Sequence, residues 1–158
     1  MIHHLSISAH DPARVAAVVA ELIGGKAYPF PSARGSHIAI CDDGHATLVE
    51  VYPLGTVMQP GADGQDVQFQ YDADRPDYVP THAALSVALD EASIKAIAAR
   101  EGWRALTCDR GGIFQVVEVW LENRVLFELL TAEMAAAYLQ AVTTRNWESF
   151  LAQNGGNG

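Results

Sequence analysis

The stretches HHLSIS (residues 3–8) and HAALSV (residues 82–87) decide how this chain is read. Each suits a strand, each begins at a histidine, and each is followed closely by an aspartate and an amphipathic helical run. A supersecondary unit that recurs in this way is the strongest organisational signal a single sequence carries. Outward from the first copy, Asp11 caps a predicted helix, Pro12 suits its first position, and Gly24 and Gly25 stop it. Val15, Val18, Val19 and Leu22 fall at i, i+3, i+4 and i+7, which makes one buried face. Strands are expected at 26–30, 36–42 and 46–53, with Asp43-Gly44 as a hairpin turn between the last two.

The second copy repeats the order. A strand at 81–89 leads to Asp90 as cap, a helix with Ile94, Ile97 and Ala98 on one face, and Gly102 as stop. Strands follow at 103–109, 113–121 and 124–130, the last two joined by a tight turn in which Asn123 takes positive φ. The expected fold class is α+β: two tandem βαβββ modules, 1–56 and 81–131. Between them, 57–80 is rich in Gly, Pro, Asp and Gln and reads as a linker or excursion, with one short strand at 66–71. Residues 132–158 form a helical tail capped by Thr131, with Trp147, Phe150 and Leu151 on one side and a disordered NGGNG end.

The totals limit the function classes. The formal charge is −9, and the ten Lys and Arg are scattered, which argues against nucleic acid or an anionic membrane as partner. No apolar stretch approaches the ~20 residues a membrane span needs. The N-terminus does not read as a signal peptide, and the two cysteines, Cys41 and Cys108, sit in no metal-type spacing. A cytoplasmic protein with reduced thiols and a small-molecule partner is expected.

Three acids interrupt the strands: Glu50 in TLVEVY, Glu118 in QVVEVWL and Glu128 in VLFELL. A carboxylate is hard to bury unless something pairs with it. His4 and Glu50 lie in the first and last strands of module one, and His82 and Glu128 in the first and last strands of module two. Two imidazoles and two carboxylates make a good site for a divalent first-row metal, here Zn, Ni, Co, Mn or Fe. Strand alternation points Val49 and Val51 at the helix and Leu48, Glu50 and Tyr52 at the other face. The competing reading is that all three acids face solvent on an antiparallel sheet. His3 is a second candidate for the first ligand, on the opposite face from His4.

These residues carry a resemblance to the vicinal oxygen chelate superfamily, the group of glyoxalase I, bleomycin-resistance proteins, methylmalonyl-CoA epimerase and extradiol dioxygenases. It covers residues 2–131 and rests on the paired modules, on HLSISAHD with seven residues from His4 to Asp11, on HAALSV, and on VEVY and FELL closing each module. The resemblance implies a curved mixed sheet around a central cavity and metal ligands at His4, Glu50, His82 and Glu128, a set similar to bacterial glyoxalase I. It also implies a metal-dependent lyase or isomerase acting on a small molecule with adjacent oxygens. Glu128, or Glu118 one strand away, then moves the proton, and Tyr52 and Trp120 line the pocket. Two alternatives stay open: an Fe(II)-dependent extradiol-type dioxygenase, and a non-catalytic small-molecule binding or resistance protein. A homodimer is expected, with the modules pairing either within one chain or across two.

Overall fold

The computed structural model describes residues 3–59, 66–74, 76, 78 and 81–154. Module one runs β1 (His4–Ala9), α1 (Pro12–Ile23), β2 (Lys26–Pro29), β3 (His37–Ile40) and β4 (Leu48–Pro53). A hairpin of β5 (Thr56–Gln59) and β6 (Gln68–Tyr71) follows. Module two runs β7 (Ala83–Ser86), α2 (Glu91–Glu101), β8 (Ala105–Asp109), β9 (Gln115–Leu121) and β10 (Val125–Leu130). The chain closes with α3 (Ala132–Ala141) and α4 (Thr144–Asn154).

The local signals act as the sequence predicts. Asp11 accepts from the Arg14 N–H at 3.0 Å, Asp90 from Ser93 at 2.8 Å and Thr131 from Met134 at 3.3 Å, so each helix start has its side-chain cap. Gly24 and Gly102 end α1 and α2 in the left-handed region. Gly25 is required for a different reason: a Cβ there would lie 2.1 Å from the Ile40 carbonyl oxygen. In the β9–β10 turn, three residues (122–124) separate the paired Leu121 and Val125, and Glu122 and Asn123 both take positive φ (50° and 56°).

Strand order is β1-β4-β3-β2 in one sheet and β7-β10-β9-β8 in the other, with β1 parallel to β4 and β7 parallel to β10. The two modules are therefore topological copies. Each helix packs on one face of its own sheet, and Val15, Val19 and Leu22 meet Val49 and Val51 as the period-3.6 and period-2 patterns require. Ile94, Ile97 and Ala98 do the same beside Val117, Val119, Phe127 and Leu129, and a single apolar core runs through both modules. The helices also tie the modules together. Arg14 Nε meets Glu101 at 2.7 Å and Arg100 Nη2 meets Glu21 at 2.6 Å. From the β9–β10 turn, the Glu122 carboxylate accepts the N–H groups of His10 and Asp11 at 2.7 and 2.8 Å.

Two local expectations are corrected. Asp43-Gly44 is not a two-residue hairpin. Residues 41–47 form a wider loop in which the Asp43 carboxylate accepts from the Thr47 hydroxyl, from the His45 N–H at 2.9 Å and from the Thr47 N–H at 3.3 Å. These bonds, the Thr47 hydroxyl first, hold the Asp43 carboxyl down at about 2. The excursion holds two strands where one was expected, because Thr56–Gln59 pairs with Gln68–Tyr71. The hairpin folds back on module one, stacking Phe69 on Tyr52 with ring centroids 5.4 Å apart. At the other end α3 packs on β9 and β10, with Phe114 edge-on to Tyr138 at 5.1 Å. Phe150 is about half exposed on α4. The side chains of Trp147 and Leu151 and the glycine-rich end from residue 155 lie outside the described residues.

Candidate functional site

In each sheet the face turned away from the helix carries the glutamate expected as a ligand. The register of module one sets His4 beside Leu48 and Ser6 beside Glu50 on that face. Module two sets Ala84 beside Glu128, with His82 just before β7. The expected His and Glu positions are thus equivalent in the two copies. His4 and His82 are both exposed. His3, the alternative first ligand, is held instead by the loop, its Nδ1 lying 2.7 Å from the His45 carbonyl oxygen.

Glu50 is partly buried and meets hydroxyls. Ser6 Oγ donates to Glu50 Oε2 at 2.6 Å and the Tyr52 hydroxyl donates to the same oxygen at 3.1 Å. Tyr52 is buried between Phe30 and Phe69, with Ser32 Oγ 3.2 Å from its hydroxyl. Burial first, and the Glu50 charge after it, push the phenol above its usual range, so Tyr52 stays a neutral hydrogen-bond donor. Beside this group lies a cleft of about 330 Å³ whose lining includes Ser6, Ser8, Tyr52, Thr56, Met58 and Val125.

Module two treats its acids differently. Glu118 on β9 lies opposite Glu128 on β10. Arg110, which follows β8 directly, bridges the two: its Nη2 donates to Glu118 Oε1 at 2.8 Å and to Glu128 Oε1. Trp120 Nε1 donates to Glu118 Oε2 at 3.4 Å. The Arg110 guanidinium holds the Glu118 carboxyl below the ordinary carboxylate range, which makes Glu118 a weak base while the pair is intact. Burial raises the Cys108 thiol beside them, and the Glu118 charge adds to the effect.

Sequence reasoning missed Arg110. The available signal was parity: Leu106 lies beside Glu118 in the β8–β9 register, and Cys108 and Arg110 follow on the same face. A larger cleft of about 590 Å³, between the start of α2, the β8–β9 loop and α3, holds none of the expected ligands.

Among the described residues, no three His, Cys, Asp or Glu side chains of one chain come close enough to hold a metal. The expected ligands divide into two halves, His4 with Glu50 in module one and His82 with Glu128 in module two, and a single copy brings no three of them together. By donor chemistry each half still fits a divalent ion, as an exposed imidazole and a part-buried carboxylate on one sheet face. In module one that carboxylate meets hydroxyl donors, which leave its charge in place.

No protein-family model and no curated protein matches this chain. Solved structures do. A putative glyoxalase family protein from Bacillus anthracis superposes with a TM-score of 0.52 at 15% identity, over 82% of this chain and 92% of that one. A glyoxylase/bleomycin resistance protein/dioxygenase domain from Frankia sp. gives 0.52 at 12% identity, over 82% and 94%. A mutant of the fosfomycin resistance protein FosX from Listeria monocytogenes, complexed with Mn(II) and dihydroxypropylphosphonic acid, gives 0.52 at 10% identity, over 82% and 90%. No helix among the described residues is long and apolar enough to cross a membrane. With 82% of its length superposed on each of them, the chain, built as two βαβββ modules, has the fold of the glyoxalase/bleomycin resistance/dioxygenase proteins.

Proposed function

We propose that this protein is a metal-dependent lyase or isomerase for a small molecule with adjacent oxygens, and that it works as a homodimer. Module one supplies His4 and Glu50; the partner's His82 and the partner's Glu128 complete the site. The observation that carries this reading is the equivalence of the two half-sites. Each places a histidine near the start of its first strand and a glutamate inside its last, on the face away from the core, and one copy does not unite them. The metal-bound complex of FosX, a protein of the same fold, supports it.

A divalent ion in such a set supplies Lewis-acid stabilisation of the anion that develops on two chelated oxygens. The chain's own residues do the rest. Ser6 and Tyr52 orient the Glu50 carboxylate through their hydroxyls. Ser6, Ser8 and Thr56 offer hydroxyls to substrate oxygens in the adjacent cleft, while Met58 and Val125 exclude water from its apolar side. Among the described residues no Lys or Arg lines that cleft, and a substrate smaller or less anionic than a glutathione conjugate suits that lining. Glu128 is the proton carrier of this scheme.

Elemental analysis after reconstitution with Zn, Ni or Co tests the metal, and sedimentation tests the dimer. The wild type is expected to hold about one ion per chain, and His82→Ala and Glu50→Gln to hold much less. Equal metal in all three, or a 17 kDa particle at micromolar concentration, overturns the reading. One observation favours a second reading, a binding protein that uses no metal: Arg110 already neutralises Glu128. A wild type that stays metal-free after reconstitution yet binds neutral diols supports that alternative.

A further inference from the structure

Arg110 is the residue at the heart of module two that no expected role absorbs. Its backbone N–H donates to the Phe114 carbonyl at 2.9 Å. The Asp109 carboxylate accepts the Gly112 N–H with both oxygens, at 2.9 and 3.0 Å. The 109–114 loop is thus tied at two points, and the side chain is aimed back over β9 and β10. One nitrogen, Nη2, serves both acids. This is not the two-pronged grip a guanidinium uses where it binds a carboxylate tightly. A bridge through one nitrogen can open on one side while the other side holds. Glu118 also accepts from Trp120, so it is the better-fixed acid of the two. The three side chains are only 15–33% exposed, so their charges are weakly screened.

We infer that Arg110 is an internal cation that competes with a divalent metal for Glu128, and that Glu118 is the seat to which the guanidinium retreats when the metal binds. The inference rests on the metal reading proposed above. It assigns functions to two residues outside the ligand set: Arg110 closes the module-two half-site in the metal-free chain, and Glu118 keeps the displaced guanidinium in place. Two like-charged carboxylates beside each other on neighbouring strands would otherwise repel. The exchange swaps one cation for another and leaves that face neutralised in both states. Arg110 and Glu118 are positioning residues in this account, because neither is asked to touch the substrate.

The test is titration of the full-length, chelator-treated protein with Mn(II), following the free-ion signal by electron paramagnetic resonance. It compares the wild type with Arg110→Gln, Arg110→Lys, Glu118→Gln and the Arg110→Gln/Glu118→Gln double variant. Removing one positive charge beside the ion is expected to tighten Mn(II) binding about tenfold or more in Arg110→Gln. Arg110→Lys keeps the charge and is expected to fall between; it also serves if the Gln variant folds poorly. Glu118→Gln is expected to weaken binding in the wild-type background and to have a much smaller effect once Arg110 is gone, a coupling that purely additive charge effects would not produce. Wild type and Arg110→Gln binding Mn(II) within about twofold of each other overturns the competition while leaving the metal reading intact. An equal Glu118→Gln effect in both backgrounds overturns the retreat to Glu118. If no variant takes up Mn(II), the metal reading itself fails and the inference falls with it. Uptake by Arg110→Gln alone supports the competition in its strongest form.

Discussion

The two modules share element order, strand order and register, yet they handle the same problem differently. Each places a glutamate in its last strand on the face away from the core. At the position beside that glutamate, module one has Ser6 and module two has Ala84. On the other flank, module one has Ile38 and module two has Glu118. Glu50 is held by two hydroxyls. Glu128 has an alanine and a second acid for neighbours, and a guanidinium settles both charges. Hydroxyls orient a carboxylate without cancelling its charge; an arginine cancels the charge and occupies the oxygen. The difference leaves the Glu50 carboxylate of module one open and the Glu128 carboxylate of module two guarded. The covers differ too: the β5–β6 hairpin lays Phe69 over Tyr52 on module one, and α3 lies on module two.

The largest expected effect asks whether the halves are separable at all. Phe127 is fully buried in the core that runs through both modules. Phe127→Ala is expected to cost about 3–5 kcal/mol and to leave one unfolding transition. Urea melts followed by far-ultraviolet circular dichroism and by tryptophan fluorescence should coincide. Two separated transitions would mean that the modules fold as independent bodies.

A smaller effect separates the two acids directly. In chelator-treated protein, Arg110→Gln leaves Glu118 and Glu128 facing each other without their cation. Allowing for partial exposure, it should cost about 1–2 kcal/mol at neutral pH. Glu50→Gln keeps an oxygen for Ser6 and Tyr52 and should change stability by about 0.5 kcal/mol or less. Urea midpoints measure both, and equal losses would erase the distinction between open and guarded halves.

The smallest effect concerns the seam between the modules. Arg100 pairs with Glu21 and Glu101, and Arg14 also pairs with Glu101. The Arg100 bond, and for Glu101 the Arg14 bond as well, hold both carboxyls below their usual range. A carboxyl depressed in the folded state adds stability that is present above its unfolded value near 4.5 and is lost as pH falls through the folded value. Glu101→Gln should therefore lower stability slightly at pH 7, by about 0.5 kcal/mol after discounting for exposure, and flatten the decline of Tm below pH 4.5. An unchanged acid slope would show that this seam is held by its apolar contacts alone.

The amino-acid sequence alone determined what depends on near neighbours. The caps Asp11, Asp90 and Thr131, the helix stops Gly24 and Gly102, and the turn at Asn123 need only a few adjacent residues to act. So does the facing of Glu50 away from Val49 and Val51, which follows from strand alternation. The repeat of the unit, read from two short echoes, was enough for the fold class. The tertiary structure decided what depends on residues far apart in the chain. Thr56–Gln59 is four residues long, too short for periodicity to mark, and becomes a strand by pairing with Gln68–Tyr71. Tyr52 is buried because Phe69 comes back over it. Arg110 reaches Glu118 and Glu128 because β8, β9 and β10 lie side by side, a proximity that no spacing along the chain encodes.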